Sequence, residues 1–149
     1  MIELAFVLIL LVMLLVGTVS AAVAFGRGNS IQNAAREASR YGATLPDGGT
    51  LDWFDSVRAV ARSAASGDLE AGVPGQRICV AYIDESNAAT HQIESGGSAT
   101  APSGGACFSD GRTDEARVQV TVQRDTDFQA IVFSTDITLS SEAAARYER

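Results

Sequence analysis

Residues Leu4 to Phe25 form a run of 22 residues with no ionisable side chain, and Glu3 stands immediately before it. As a helix the run is about 33 Å long, enough to cross a bilayer core. A carboxylate at its edge is costly in lipid unless it meets a cation or stays at the interface. The start of the chain therefore reads as a membrane anchor with one acid placed to recruit a partner. A plain single-pass anchor with an interfacial acid fits the same residues.

Beyond the run the chain turns polar, so its 46% hydrophobic content is concentrated at the front. A chain of 149 residues leaves room for the anchor and one compact domain of about 100 residues. From Thr44 onward eight Arg face sixteen Asp and Glu. That excess of acid argues against a nucleic-acid partner, which needs a basic face, and against docking to anionic lipid.

The helix is expected to continue from Leu4 to about Gly42. Gly17, Ser20, Ala21 and Ala24 make a slim stretch that allows close approach of another element. Gly26 and Gly28 weaken the helix just beyond it. From Asn29 the pattern is amphipathic: Ile31, Ala34, Ala35, Ala38 and Tyr41 make one stripe, with Gln32, Arg36, Glu37 and Arg40 away from it. Pro46 to Gly49 is a turn. A second helix follows, capped by Thr50 or Asp52 and stopped by Gly67. Trp53, Phe54, Val57, Val60, Ala61, Ala64 and Ala65 recur along it at helical spacing.

The remainder reads as strands. Ile78 to Ile83 is a short apolar run. Val118, Val120 and Val122 alternate with Gln119, Thr121 and Gln123 as a half-buried strand. Ile137, Leu139, Ser141, Ala143, Ala145 and Tyr147 lie at period two and suggest a last strand, with a short helix as the alternative. Asp84 to Phe108, rich in Ser, Gly, Ala and Thr, reads as one long exposed loop. Asp125 and Asp127 read as a turn.

Cys79 and Cys107 are the only cysteines. If this part of the chain lies outside the cytoplasm they form a disulfide closing about 29 residues, worth about 3–4 kcal/mol in the chain-entropy account. Two unrelated buried thiols are the other reading. Arg27, Arg36 and Arg40 follow the apolar run, and the positive-inside tendency alone would hold that side in the cytoplasm. A basic leader before Met1, later removed, reconciles the two expectations.

Little in the sequence supports catalysis, and no enzyme is expected. The single histidine, His91, sits in the polar loop and reads as solvated. No phosphate loop, zinc spacing or triad order is present. Asp110, Asp114 and Glu115 near Gly111 loosely resemble a calcium loop without the spacing of an EF-hand. No metal, cofactor or catalytic residue is assigned.

The segment Ile2-Glu3-Leu4-Ala5-Phe6-Val7-Leu8 resembles the start of a mature type IV pilin or pseudopilin. Together with Gln32-Asn33-Ala34-Ala35-Arg36-Glu37-Ala38-Ser39-Arg40-Tyr41 it is similar to the TadE-like pseudopilins of the tight-adherence (Tad) pilus system. The ending from Leu139 to Glu148 loosely resembles that family's last strand. The family's glutamate is the fifth residue of the mature chain, whereas here it is the third.

The resemblance implies an α+β fold: a long N-terminal helix whose second half packs on a short helix and a small antiparallel sheet. Residues 1–43 would be the pilin helix, with 4–25 in the membrane or filament core, and 44–149 an extracytoplasmic head. It implies a structural subunit of a pilus serving surface adhesion, cut by a prepilin peptidase and assembled from the inner membrane by pilus machinery with other pilin subunits. Glu3 would set the register between helices. Leu4, Phe6, Val7, Leu10, Leu11, Leu14 and Leu15 would pack the core. A monomeric anchored binding module, recognising ligands through Asp84 to Phe108, is the competing expectation.

Overall fold

A computed structural model describes residues 2–70, 73–129 and 134–148, excepting the side chains of residues 2, 3, 5, 128, 129 and 134. Helix α1 runs Ile2–Thr44 and helix α2 Leu51–Ala64. Strands follow as β1 Gln76–Ile83, β2 Ala89–Ser95, β3 Ser98–Ala99, β4 Ser103–Gly104, β5 Arg117–Gln129 and β6 Ser134–Arg146. The sheet is antiparallel, in the order β3-β2-β1-β5-β6, with β4 also pairing β2. This is the α+β, pilin-like arrangement that the sequence predicts.

Helix α1 is unbroken for 43 residues, about 65 Å. Gly26 and Gly28 do not interrupt it. Its second half is amphipathic as expected: Ile31, Ala34, Ala35 and Ala38 are buried, and Gln32, Arg36, Glu37 and Arg40 are exposed. Tyr41 departs from the expected stripe and is 40% exposed. Gly42 and Ala43 are buried instead. A Cβ on Gly42 would lie 2.9 Å from Val57 Cγ2 and 3.1 Å from both Trp53 Cζ2 and Val118 Cγ1, so the helix meets the core there through bare backbone.

Thr50 caps α2, and its hydroxyl accepts the Trp53 backbone N–H. One face of α2, carrying Trp53, Phe54, Val57 and Ala61, closes on α1 and on Ile78, Val80, Val118, Val120 and Val122 of the sheet. The core is therefore shared by α1, α2, β1 and β5. Ring contacts run from Phe54 through Trp53 and Tyr82 to Tyr147, each edge-on, with centroids 5.1–6.0 Å apart. Tyr147 continues the period-two pattern of the tail, which is a strand rather than a helix up to Arg146.

Four expectations are corrected. Asp84 to Phe108 is not one open loop: β2 pairs with β1 along seven residues, from Ala89 to Ser95. Over residues 118–122, strand β5 is not half-buried, because Gln119 and Thr121 are buried along with the valines. Their face is covered by the segment that the Cys79–Cys107 disulfide holds against β1. Asp125 and Asp127 are not in a turn but within β5, opposite Thr138 and Asp136. His91 is not a loop residue. It lies in β2, with Nδ1 3.0 Å from the Gly105 carbonyl and Nε2 3.2 Å from Ser103 Oγ, so it ties down β4.

Candidate assembly helix

The first half of α1 is apolar on all sides and lies beyond the head. Its most hydrophobic window contains no buried residue. Leu4, Phe6, Val7, Leu10, Leu11, Leu14 and Leu15 are all exposed, between 52% and 71%. Moving a leucine-sized side chain out of water is worth about 1.5–3 kcal/mol, so these seven together represent roughly 10–20 kcal/mol. Lipid or other apolar helices must cover them. The Glu3 backbone is helical, while its side chain lies outside the described residues.

The head begins beside the last residues of the apolar run, and a set of polar contacts just past the run marks the junction. Ser30 Oγ donates to the Ala65 carbonyl at 2.7 Å. Arg27 Nε lies 4.0 Å from Asp68 Oδ1. Arg124 Nη1 of β5 donates to the same Asp68 oxygen at 2.9 Å and also to the Asp68 backbone carbonyl. One carboxylate after α2 thus joins the anchor helix to the sheet. The sequence shows the positive charge of Arg27 and Arg124 but gives no local signal that they converge.

Slim residues of α1 accept the sheet at this level. Ser20 and Ala24 are part-covered, while Ala21 is exposed. Val19, Ser20, Val23, Ala24 and Arg27 line one groove of about 300 Å³ with Thr126 and Asp127 of β5. Farther up, Ala24, Phe25, Gly28 and Ile31 share a second groove, of about 440 Å³, with Leu139, Ser140 and Ser141 of β6.

Several ionisable groups of the head are paired with each other. Arg58 is buried and donates to Glu94 Oε2 at 3.2 Å and to Asp55, and Arg62 donates to Glu94 Oε1. These pairs fasten α2 to β2. Neither partner stands out in the sequence, since Glu94 falls in the stretch read as a loop and Arg58 looks like a surface charge. Arg117, also buried, donates to Asp110 Oδ2 at 2.8 Å, to the Glu115 carbonyl at 3.2 Å and to Asn87 Oδ1 at 3.0 Å.

Burial pushes the Asp110 carboxyl up, but the Gln119 amide, the Arg112 backbone N–H and Arg117 outweigh it and hold the group below its ordinary value. Asp110 therefore serves as a structural counter-ion, and Glu115 lies 3.5 Å from Arg112. Among the described residues, no group of three or more His, Cys, Asp or Glu is placed to hold a metal ion. The contacts of His91 are structural as well.

No curated protein and no solved structure matches the chain significantly. Residues 1–40, the exposed apolar helix and most of its amphipathic continuation, match the family model of TadE-like protein and are similar to it over that stretch.

Proposed function

We propose that the chain is a structural, non-enzymatic subunit of a Tad-type pilus, held in the membrane by α1 before assembly and packed through α1 against other pilin subunits afterwards. The observation that carries this reading is an apolar helix segment with no buried residue, lying within the stretch that matches TadE-like proteins. A helix this apolar needs cover in both states: lipid before assembly, neighbouring helices after it.

In this reading Glu3 meets a cation of an adjacent subunit, and the α-amino group of a neighbouring chain has the right charge. Such a pair offsets part of the cost of a carboxylate in an apolar setting, and its main value is register. Leu4, Phe6, Val7, Leu10, Leu11, Leu14 and Leu15 supply the packing. The disulfide of the head agrees with an oxidising compartment and so supports a C-terminal side outside the cytoplasm. In this reading the assembled subunit stands on the cell surface and serves adhesion. Processing by a prepilin peptidase belongs to the same reading.

The test is Glu3→Ala. The variant is expected to remain in the membrane fraction and to be lost from, or strongly reduced in, sheared surface filaments identified by electron microscopy and mass spectrometry. Incorporation at the unmodified level would overturn the role of Glu3 in assembly. Absence of the unmodified protein from all sheared material would overturn the pilus reading itself.

A further inference from the structure

Strand β5 runs down α1 toward the anchor. At its upper part Val118 faces Gly42, and near its lower end Thr126 and Asp127 lie beside Val19, Val23 and Arg27. Two further residues, Phe128 and Gln129, continue the strand, paired with Thr135 and Ser134 of β6. At about 3.3 Å per residue they add up to about 7 Å in that direction. The β5–β6 hairpin therefore overlaps the outer part of the apolar run rather than stopping above it.

This overlap conflicts with a bilayer that covers the whole run. Leu4 to Thr18, the part of the run before the groove, is 15 residues, about 22 Å as a helix. A hydrocarbon core is about 30 Å thick. To fill it, α1 must use most of Val19 to Phe25 as well, a further 10 Å or so. Thr126 and Asp127 of β5 lie beside those residues and are carried down with them.

We infer that the neighbouring ends of β5 and β6, from Asp125 to Asp127 and from Thr135 to Thr138, are a lipid-contacting element, resting in the headgroup–acyl boundary of the leaflet on the head's side while α1 spans the bilayer. The inference rests on the reading of α1 as a membrane anchor. The chemistry of the strands suits a boundary. Thr126, Thr135 and Ile137 alternate with Asp125, Asp127, Asp136 and Thr138, and Thr138 Oγ1 donates to Asp125 at 2.6 Å. Three acids favour a zwitterionic headgroup layer over an anionic one. Arg27 sits on the same flank of α1 and can meet lipid phosphate.

Nitroxide labels on the full-length, disulfide-intact protein in phosphatidylcholine vesicles test this. Single labels go on Leu10 of the anchor, Thr135 of the hairpin and Ser95 of β2, all exposed positions, and depth is read from the ratio of oxygen to nickel-chelate accessibility. With a core near 30 Å, Leu10 is expected to read deep, Ser95 to read water, and Thr135 to read the boundary. With a core near 22 Å the Thr135 ratio is expected to fall to that of Ser95. A deep Leu10 with Thr135 equal to Ser95 in the thicker bilayer overturns the inference and leaves the anchor intact. A shielded Thr135 that ignores bilayer thickness also overturns it, because protein rather than lipid then covers the hairpin. A Leu10 label that reads water overturns the anchor and the inference together.

Discussion

The indole N–H of Trp53 donates to the backbone carbonyl of Gly42 at 3.0 Å, joining the first turn of α2 to the last turn of α1. The Gly42 carbonyl is one of the groups a helix end leaves without an intrahelical partner, and it is buried here. Trp53→Phe is expected to keep the packing and lose the bond, at a cost of about 1–2 kcal/mol. Thermal unfolding followed by near-ultraviolet circular dichroism should show a transition a few degrees lower. An unchanged transition would mean that water or another donor replaces the indole.

Gly42 itself is a packing site. Gly42→Ala forces its new methyl into Val57, Trp53 and Val118, whose atoms are 2.9–3.1 Å from that position. Overpacking of this kind costs about 1–3 kcal/mol, more than the helix propensity gained by replacing glycine with alanine. Gly26→Ala is the matched control, since nothing lies within 4 Å of the Cβ it adds. Chemical denaturation should separate the two variants in opposite directions.

Glu94 supports two arginines, and both it and Arg58 are buried. Glu94→Ala leaves the Arg58 guanidinium without its main counter-ion and is expected to cost about 3–5 kcal/mol. The double change Arg58→Met with Glu94→Leu removes both charges and should recover most of that loss. If the single change were as stable as the double, the buried pair would not be fastening α2 to β2.

Reduction or the pair Cys79→Ser and Cys107→Ser should cost about 2–4 kcal/mol. The first region to loosen should be the segment over Gln119 and Thr121. Hydrogen exchange of their backbone amides, compared with Val118 and Val120, checks this. Uniform loss of protection across the sheet would instead mean that the disulfide acts on the whole domain.

Asp127 and Asp136 stand opposite each other in β5 and β6. A hydrogen bond between the two carboxyl groups, then the like charge of Asp127, slight desolvation and the charge of Asp125, raise Asp136 above its ordinary value. A raised folded-state value means the folded chain holds that proton more tightly than the unfolded chain. Its contribution to stability is complete below the ordinary carboxyl range and is lost as pH rises through the raised value. Asp110 is held below its ordinary value and has the opposite sign: its contribution is present above the ordinary range and fades as pH falls through the lowered value. Asp136→Asn should therefore raise stability at neutral pH and flatten the mildly acidic part of the pH profile. A profile unaltered by that change would remove the coupling.

The helices were readable because their signals are local. Ile31, Ala34, Ala35 and Ala38 repeat at helical spacing, and Thr50 precedes a helix with Trp53 and Phe54 on its inner face. Strand β6 was readable from period two alone. Strand β2 was not: its sequence, Ala-Thr-His-Gln-Ile-Glu-Ser, lacks an apolar alternation, and it is set by pairing with β1 and by the Arg58–Glu94 bond from 36 residues away. The burial of Gln119 was hidden for the same kind of reason, since its cover comes from a distant crosslink. Of the candidate site, the exposed apolar run was plain in the sequence. The junction at Asp68 was not, because Arg27 and Arg124 stand 41 and 56 residues from Asp68 and meet it only in the fold.

Because Ile31 to Ala43 belong to the core of the head, there is no swivel between shaft and cap. Turning the helix about its own axis turns the whole globular part through the same angle. In an assembly packed through α1, the azimuth at which each cap projects would follow from how the shafts nest.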